Sequence, residues 1–161
     1  MKKIAFGGGC HWCTEAVFQS IQGVVRVDQG WVSSVAPHNN FSEAVVVHYD
    51  PNEISLKTLI EIHLLTHSSS SQHVMRNKYR SAIYYFDEET MDQSRQILNM
   101  LIQKDQKLYI TMVLPMVEFK LNQESYLDYF RRQPEAPFCR TYIVPKLKKL
   151  KKEFKDEVKQ L

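Results

Sequence analysis

Lys3-Ile4-Ala5-Phe6-Gly7-Gly8-Gly9-Cys10-His11-Trp12-Cys13 opens the chain as a short apolar strand, a glycine turn and the start of a helix. Ile4 and Phe6 suit a pleated, half-buried strand, and three successive glycines permit a tight reversal that a Cβ would hinder. Over residues 10–22, Cys10, Cys13, Val17 and Ile21 recur at helical spacing, which predicts a helix beginning at Cys10. Residues 24–32 and 43–49 are rich in β-branched side chains and flank the turn-forming Pro37-His38-Asn39-Asn40, so they are expected to pair as antiparallel strands. Asp50-Pro51-Asn52 closes the second of them, and Ser55 is placed to cap a helix over 56–66. The run Ser68-Ser69-Ser70-Ser71 reads as a loop, residues 80–86 as a strand and 88–104 as a helix. Strand, helix, strand, strand, helix, strand is the order of an α+β, ferredoxin-like split βαβ two-layer sandwich, with the C-terminal remainder wrapped around it as an extension.

With 161 residues, of which 43% are hydrophobic, the chain has the size of one domain and can bury a core without disulfide or metal staples. Residues 1–161 are therefore expected to form a single catalytic domain. Met1-Lys2-Lys3 followed by an apolar run resembles an export signal only until Gly7-Gly8-Gly9 interrupts it, and no apolar stretch is long enough to span a bilayer. A cytoplasmic location with no membrane partner is expected. The formal charge of +3 comes mostly from lysines near the end, where Leu147, Leu150, Phe154, Val158 and Leu161 recur at helical spacing. Those lysines read as the wet faces of a docked amphipathic helix over 146–161, not as a nucleic-acid surface.

Three cysteines are an odd count for a disulfide framework and point to thiol chemistry or metal ligation. Cys10 is the candidate nucleophile. A thiol reacts as thiolate, its pKa must fall from about 8.5 to do so near neutrality, and the free N–H groups of a helix start lower it. His11 would help if protonated. Cys13 lies one turn further on the same face, close enough to form a disulfide with Cys10. The same spacing is half a zinc site, but Cys139 stands alone and supplies no second pair, so neither metal nor cofactor is expected. A thioredoxin-like thiol-disulfide oxidoreductase also uses Cys-x-x-Cys at a helix start, although here the motif follows a single strand.

Gly8-Gly9-Cys10-His11-Trp12-Cys13 resembles the Gly-Cys-Phe-Trp motif of the A-type peptide methionine sulfoxide reductases, in the variant that carries cysteine after the tryptophan. Phe41-Ser42-Glu43-Ala44-Val45 with Tyr49-Asp50-Pro51 is similar to that family's glutamate-bearing strand, and Tyr79-Arg80-Ser81-Ala82-Ile83 to its Tyr-Arg-Ser-Ala-Ile segment. Val113-Leu114-Pro115, Glu118-Phe119, Phe138-Cys139 and Pro145-Lys146-Leu147 follow in the same order as in its C-terminal part. The sequence departs from the family in three places. His11 replaces phenylalanine, the stretch between Trp31 and Phe41 is short and lacks a tyrosine, and residues 68–78 lack an aspartate, for which Gln72, His73, Arg76 and Asn77 are candidate substitutes.

The resemblance implies thiol-dependent reduction of methionine S-sulfoxide, free or in proteins. Cys10 would attack the sulfoxide sulfur and Glu43 would give the oxygen its proton. On an alternating strand Glu43 shares a face with Phe41, Val45 and Val47, and burial among such groups would keep the carboxyl protonated. Tyr79 would donate to the same oxygen, and Trp12 and His11 would form the pocket for the methyl group. A Cys10 sulfenic acid would be resolved by Cys13 or Cys139, and the disulfide reduced by thioredoxin or a similar dithiol protein. A non-catalytic reader of oxidised methionine would keep the pocket but would have no use for Cys10, Cys13 and Glu43 together.

Overall fold

β1 (Lys2–Gly7) runs through the middle of a six-stranded sheet of order β5-β4-β1-β3-β2-β6. The structure is a computed structural model that describes residues 1–69 and 78–159; Gln72, His73, Arg76, Asn77 and Leu161 lie outside the described residues. β2 (Val24–Ser33), β3 (Ser42–Tyr49) and β4 (Ala82–Tyr85) join β1 in an inner antiparallel sheet of order β4-β1-β3-β2. α1 (His11–Gln19) connects β1 to β2, and α2 (Leu56–Thr66) connects β3 to β4. This is the expected split βαβ arrangement. The extension adds one strand at each edge, β5 (Met112–Pro115) parallel to β4 and β6 (Glu118–Leu121) antiparallel to β2. α3 (Glu88–Asp105), α4 (Tyr129–Arg132) and α5 (Val144–Glu153) complete it.

Local signals account for most boundaries. Ser55 Oγ accepts from the Thr58 N–H at 3.1 Å and caps α2, and Asp87 does the same for Thr90 at 2.7 Å to start α3. α1 stops at Gln19, short of the expected 22, because Ile21 leaves the helix to pair with Val158 while the N–H of Gln22 donates to Glu157 O. That pairing also corrects the C-terminal helix, which ends at Glu153: residues 154–159 turn back as a strap that buries Val158 against the 20–22 segment.

The core lies mainly between the sheet and the helices. Ile4, Phe6, Val45, Val47 and Ile83 face Val17, Phe18, Leu59, Ile62, Leu98, Leu101 and Leu150, with Phe6 and Phe18 stacked at 4.8 Å. On the opposite face Ala5, Ala44, Val46, Ala82 and Tyr84 are covered by Phe86, Met112, Leu114, Met116 and Phe119. β3 is therefore buried on both faces, which puts Glu43 inside the molecule, opposite Trp31 of β2.

Arg80 fixes the end of the sheet nearest Cys10. Only 4% exposed, it donates through its guanidinium to Val32 O, to Asn40 O and Oδ1 and to Tyr84 Oη at 2.9–3.2 Å, and its N–H donates to Ser42 Oγ. Arg80→Met would leave several of these acceptors buried without a donor, so the urea unfolding midpoint should fall by the equivalent of about 3 kcal/mol with an unchanged slope. A wild-type midpoint would contradict this role.

Candidate active site

Cys10 occupies the position just before α1: its carbonyl accepts the N–H of Thr14 at 3.1 Å, while its own backbone is extended, with φ −58° and ψ 132°. Gly8 makes this turn possible. Its φ is +147°, and a Cβ there would fall 2.4 Å from the His67 ring, which stacks on His63 at 4.1 Å. His63 Nε2 in turn donates to Gly7 O at 2.7 Å, so these two histidines buttress the turn; among the described residues no cluster of three or more candidate ligands could hold a metal.

The Cys10 thiol is held below its ordinary range, first because the Cys13 thiol donates to it, and further by the N–H groups of Trp12 and Cys13; burial and the Glu43 charge oppose the shift. Cys13 is pushed up by the same contact and by burial. Of the two, Cys10 is therefore the thiol that ionises first, and Cys13 keeps its proton. Cys139 begins a single π-helical turn, Cys139–Ile143, and is 0% exposed in one cluster with Cys13, Ala16 and Ile143; burial raises its thiol as well. All three cysteines are free.

Across from Cys10 stands Glu43, whose side chain is 4% exposed. The N–H of His11 donates to Oε1 at 3.2 Å, His11 Nδ1 lies 3.3 Å from the same atom, and Lys78 Nζ lies 3.4 Å from Oε2. The expected burial is present, but the apolar surroundings are not: the carboxyl oxygens face donors, because the helix start and the segment before β4 converge on this end of β3. His11 also departs from expectation. Burial lowers its pKa, so it stays neutral and brings no charge to Cys10. Nδ1 faces two acceptors, Glu43 Oε1 and Gly30 O, while Nε2 faces the Asn122 amide nitrogen at 3.2 Å, a pattern that fits the Nδ1–H tautomer.

Trp12 stacks on Tyr129 at 4.1 Å, meets Phe138 edge-on and donates its Nε1–H to Tyr126 O at 3.1 Å. Glu15, buried one turn further along α1, accepts the N–H groups of Asp128 and Tyr129 at 3.0 and 3.3 Å and so anchors this aromatic wall to the helix. Burial raises the Glu15 pKa. Tyr79 faces the wall from the segment before β4. Together Cys10, His11, Trp12, Glu43 and Tyr79 line one half-open cavity of about 330 Å³, along with Trp31, Lys78, Asn122, Tyr126 and Phe138. Cys13 lies behind Cys10 and Cys139 behind Cys13, neither of them in the lining. Lys146 is another departure, since it is half-buried and donates from Nζ to Thr66 O instead of lying wholly in solvent.

Sequence reasoning passed over Trp31, Lys78, Asn122, Tyr126 and Glu15, and used Phe138 only as a flank of Cys139. The aromatic at the end of an apolar strand was a readable signal for Trp31. Lys78, Asn122 and Tyr126 look like ordinary loop residues until the chain folds.

A thiol held below its ordinary range by a neighbouring thiol, opposite a buried carboxyl in a cavity walled by aromatic rings, defines the class as a thiol-dependent oxidoreductase on a ferredoxin-like sheet. The sequence model of the family described as peptide methionine sulfoxide reductase matches residues 2–158, and the chain belongs to that family. A relative from Psychrobacter sp. (strain PRwf-1), named peptide methionine sulfoxide reductase MsrA, is 35% identical over 172 residues, covering 96% of this chain and 97% of its own. Among solved structures, Mxr1 from Saccharomyces cerevisiae in reduced form has the same fold, with a TM-score of 0.72 at 22% identity over 88% of this chain and 90% of that one. Mxr1 in complex with Trx2 superposes with a TM-score of 0.63 at 20% identity, covering 78% and 83%. No helix among the described residues is long and apolar enough to cross a membrane.

Proposed function

We propose that the protein reduces methionine S-sulfoxide, free or within peptides and proteins, to methionine, with residues 1–161 acting as one catalytic domain in the cytoplasm. The observation that carries this is the placement of Cys10 and Glu43 on facing walls of one cavity, with the Cys13 thiol hydrogen-bonded to Cys10 from behind. The Cys10 thiolate attacks the sulfoxide sulfur, and its electron pair forms a sulfur–sulfur bond while the oxygen takes a proton from Glu43 and a hydrogen bond from Tyr79. Oxygen then passes with its electron pair to Cys10 as the substrate's S–O bond and the transient sulfur–sulfur bond both break, and the pair of the latter stays on the substrate sulfur, so the substrate leaves as a thioether and Cys10 becomes a sulfenic acid, oxidised by the same pair. Trp12 and the neutral His11 shape the wall that receives the methyl group.

Once Cys10 no longer carries negative charge, the contact that held the proton on Cys13 is gone. The Cys13 sulfur attacks Cys10, water leaves with the sulfenic oxygen, and a disulfide results. Cys139, packed behind Cys13, is the second thiol to which the disulfide is passed. Thioredoxin or a similar dithiol protein restores the thiols, a role supported by the complex that Mxr1 forms with Trx2.

Peptide mapping by mass spectrometry after one equivalent of methionine S-sulfoxide tests this reading. A Cys10–Cys13 disulfide, or the Cys13–Cys139 disulfide that exchange with Cys139 makes of it, is expected. A Cys10–Cys139 disulfide would move the first resolving step to Cys139, and three unmodified thiols would overturn the reaction.

A further inference from the structure

Lys78 reaches the cavity from the short segment that leads into Tyr79 and Arg80. Its carbonyl oxygen accepts the Glu43 N–H at 2.9 Å and the Ser42 hydroxyl at 2.8 Å, so the β3 backbone fixes where this residue leaves the sheet. Its side chain turns inward to place Nζ 3.4 Å from Glu43 Oε2 and 5.3 Å from the centre of the Tyr79 ring. The ammonium is thus shared between Glu43 and the Tyr79 side chain. Half of the Lys78 side chain, 50%, remains exposed, while its partner Glu43 is almost wholly buried.

An ion pair with one exposed member ordinarily adds little to stability. This pair faces the nucleophile, and two needs of the site meet at its position. The Glu43 charge opposes ionisation of Cys10, and an ammonium against that carboxylate offsets the charge. Negative charge also gathers on the sulfoxide oxygen as the thiolate attacks, and a positively charged donor already in place stabilises it.

We propose that Lys78 is a further catalytic residue: its ammonium, bridging Glu43 and Tyr79, hydrogen-bonds the sulfoxide oxygen and stabilises the negative charge that gathers there, while Glu43 passes the proton. The inference rests on the Cys10 and Glu43 mechanism above. The proton reaches the Glu43 carboxylate from water in the half-open cavity and passes from there to the oxygen, while Lys78 keeps its own. Lys78 is neither oxidised nor reduced.

The test compares Lys78→Met, Lys78→Gln and Lys78→Arg in the full chain, following methionine release in a single turnover of methionine S-sulfoxide, with KM and the thermal midpoint measured alongside. Lys78→Met and Lys78→Gln should slow release by about tenfold to a hundredfold, with KM changed by no more than about twofold and the midpoint unmoved. Lys78→Arg should keep most of the rate, and added methylammonium should restore part of it to Lys78→Gln. Wild-type release in both neutral variants, a loss confined to KM, or Lys78→Arg as slow as Lys78→Gln would overturn the role of Lys78. Absence of release from the wild type would instead overturn the underlying reaction.

Discussion

Cys10→Ser is expected to release no methionine from the S-sulfoxide with dithiothreitol as reductant, a loss of about 10⁴-fold or more, while Cys13→Ser/Cys139→Ser still completes a first turnover. A serine hydroxyl ionises far above neutrality, and the donors gathered at the start of α1 cannot bring it down to a useful range. The double variant keeps the nucleophile and loses the thiols that resolve it, so its oxidised product should be a sulfenic acid at Cys10, detectable with a dimedone label. It also removes the Cys13 thiol that holds Cys10 below its ordinary range, and its first turnover should therefore gain more from raised pH than that of the wild type. Methionine release by Cys10→Ser at a rate near wild type would sink the mechanism.

Glu43→Gln should slow the single-turnover rate by about 10² to 10³-fold with little change in fold. The amide preserves the shape of the carboxyl and still accepts the His11 N–H, but it cannot pass a proton to the sulfoxide oxygen and no longer pairs with Lys78. Retention of native circular dichroism with the rate lost would assign the effect to chemistry. An unchanged rate would remove Glu43 from the reaction.

The fold was legible because its signals are local. A serine ahead of an apolar-periodic run caps a helix wherever it sits, β-branched runs make strands, and the order of six elements allowed one familiar topology. β5 and β6 escaped because neither is periodic enough to stand alone; each exists because β4 or β2 offers it an edge. The last helix was drawn too long for a related reason, since Val158 fits the helical spacing but finds its partner in Ile21.

For the site, Cys10, Cys13 and Glu43 were visible as residue types in a suggestive context, whereas their electrostatics were not. Which tautomer His11 adopts depends on Gly30 and Asn122, residues 19 and 111 positions away. What surrounds Glu43 depends on Lys78, brought in from the far side of α2. Only the folded chain sets these environments.

The hydrogen bond between Cys13 and Cys10 bears on damage as much as on turnover. A sulfenic acid formed by stray peroxide meets a thiol before it meets a second oxidant, and is closed off as a disulfide instead of climbing to the sulfinic acid, from which a dithiol does not recover it. A protein that works among oxidants thus carries its own fuse, and any dithiol that completes the cycle also resets it.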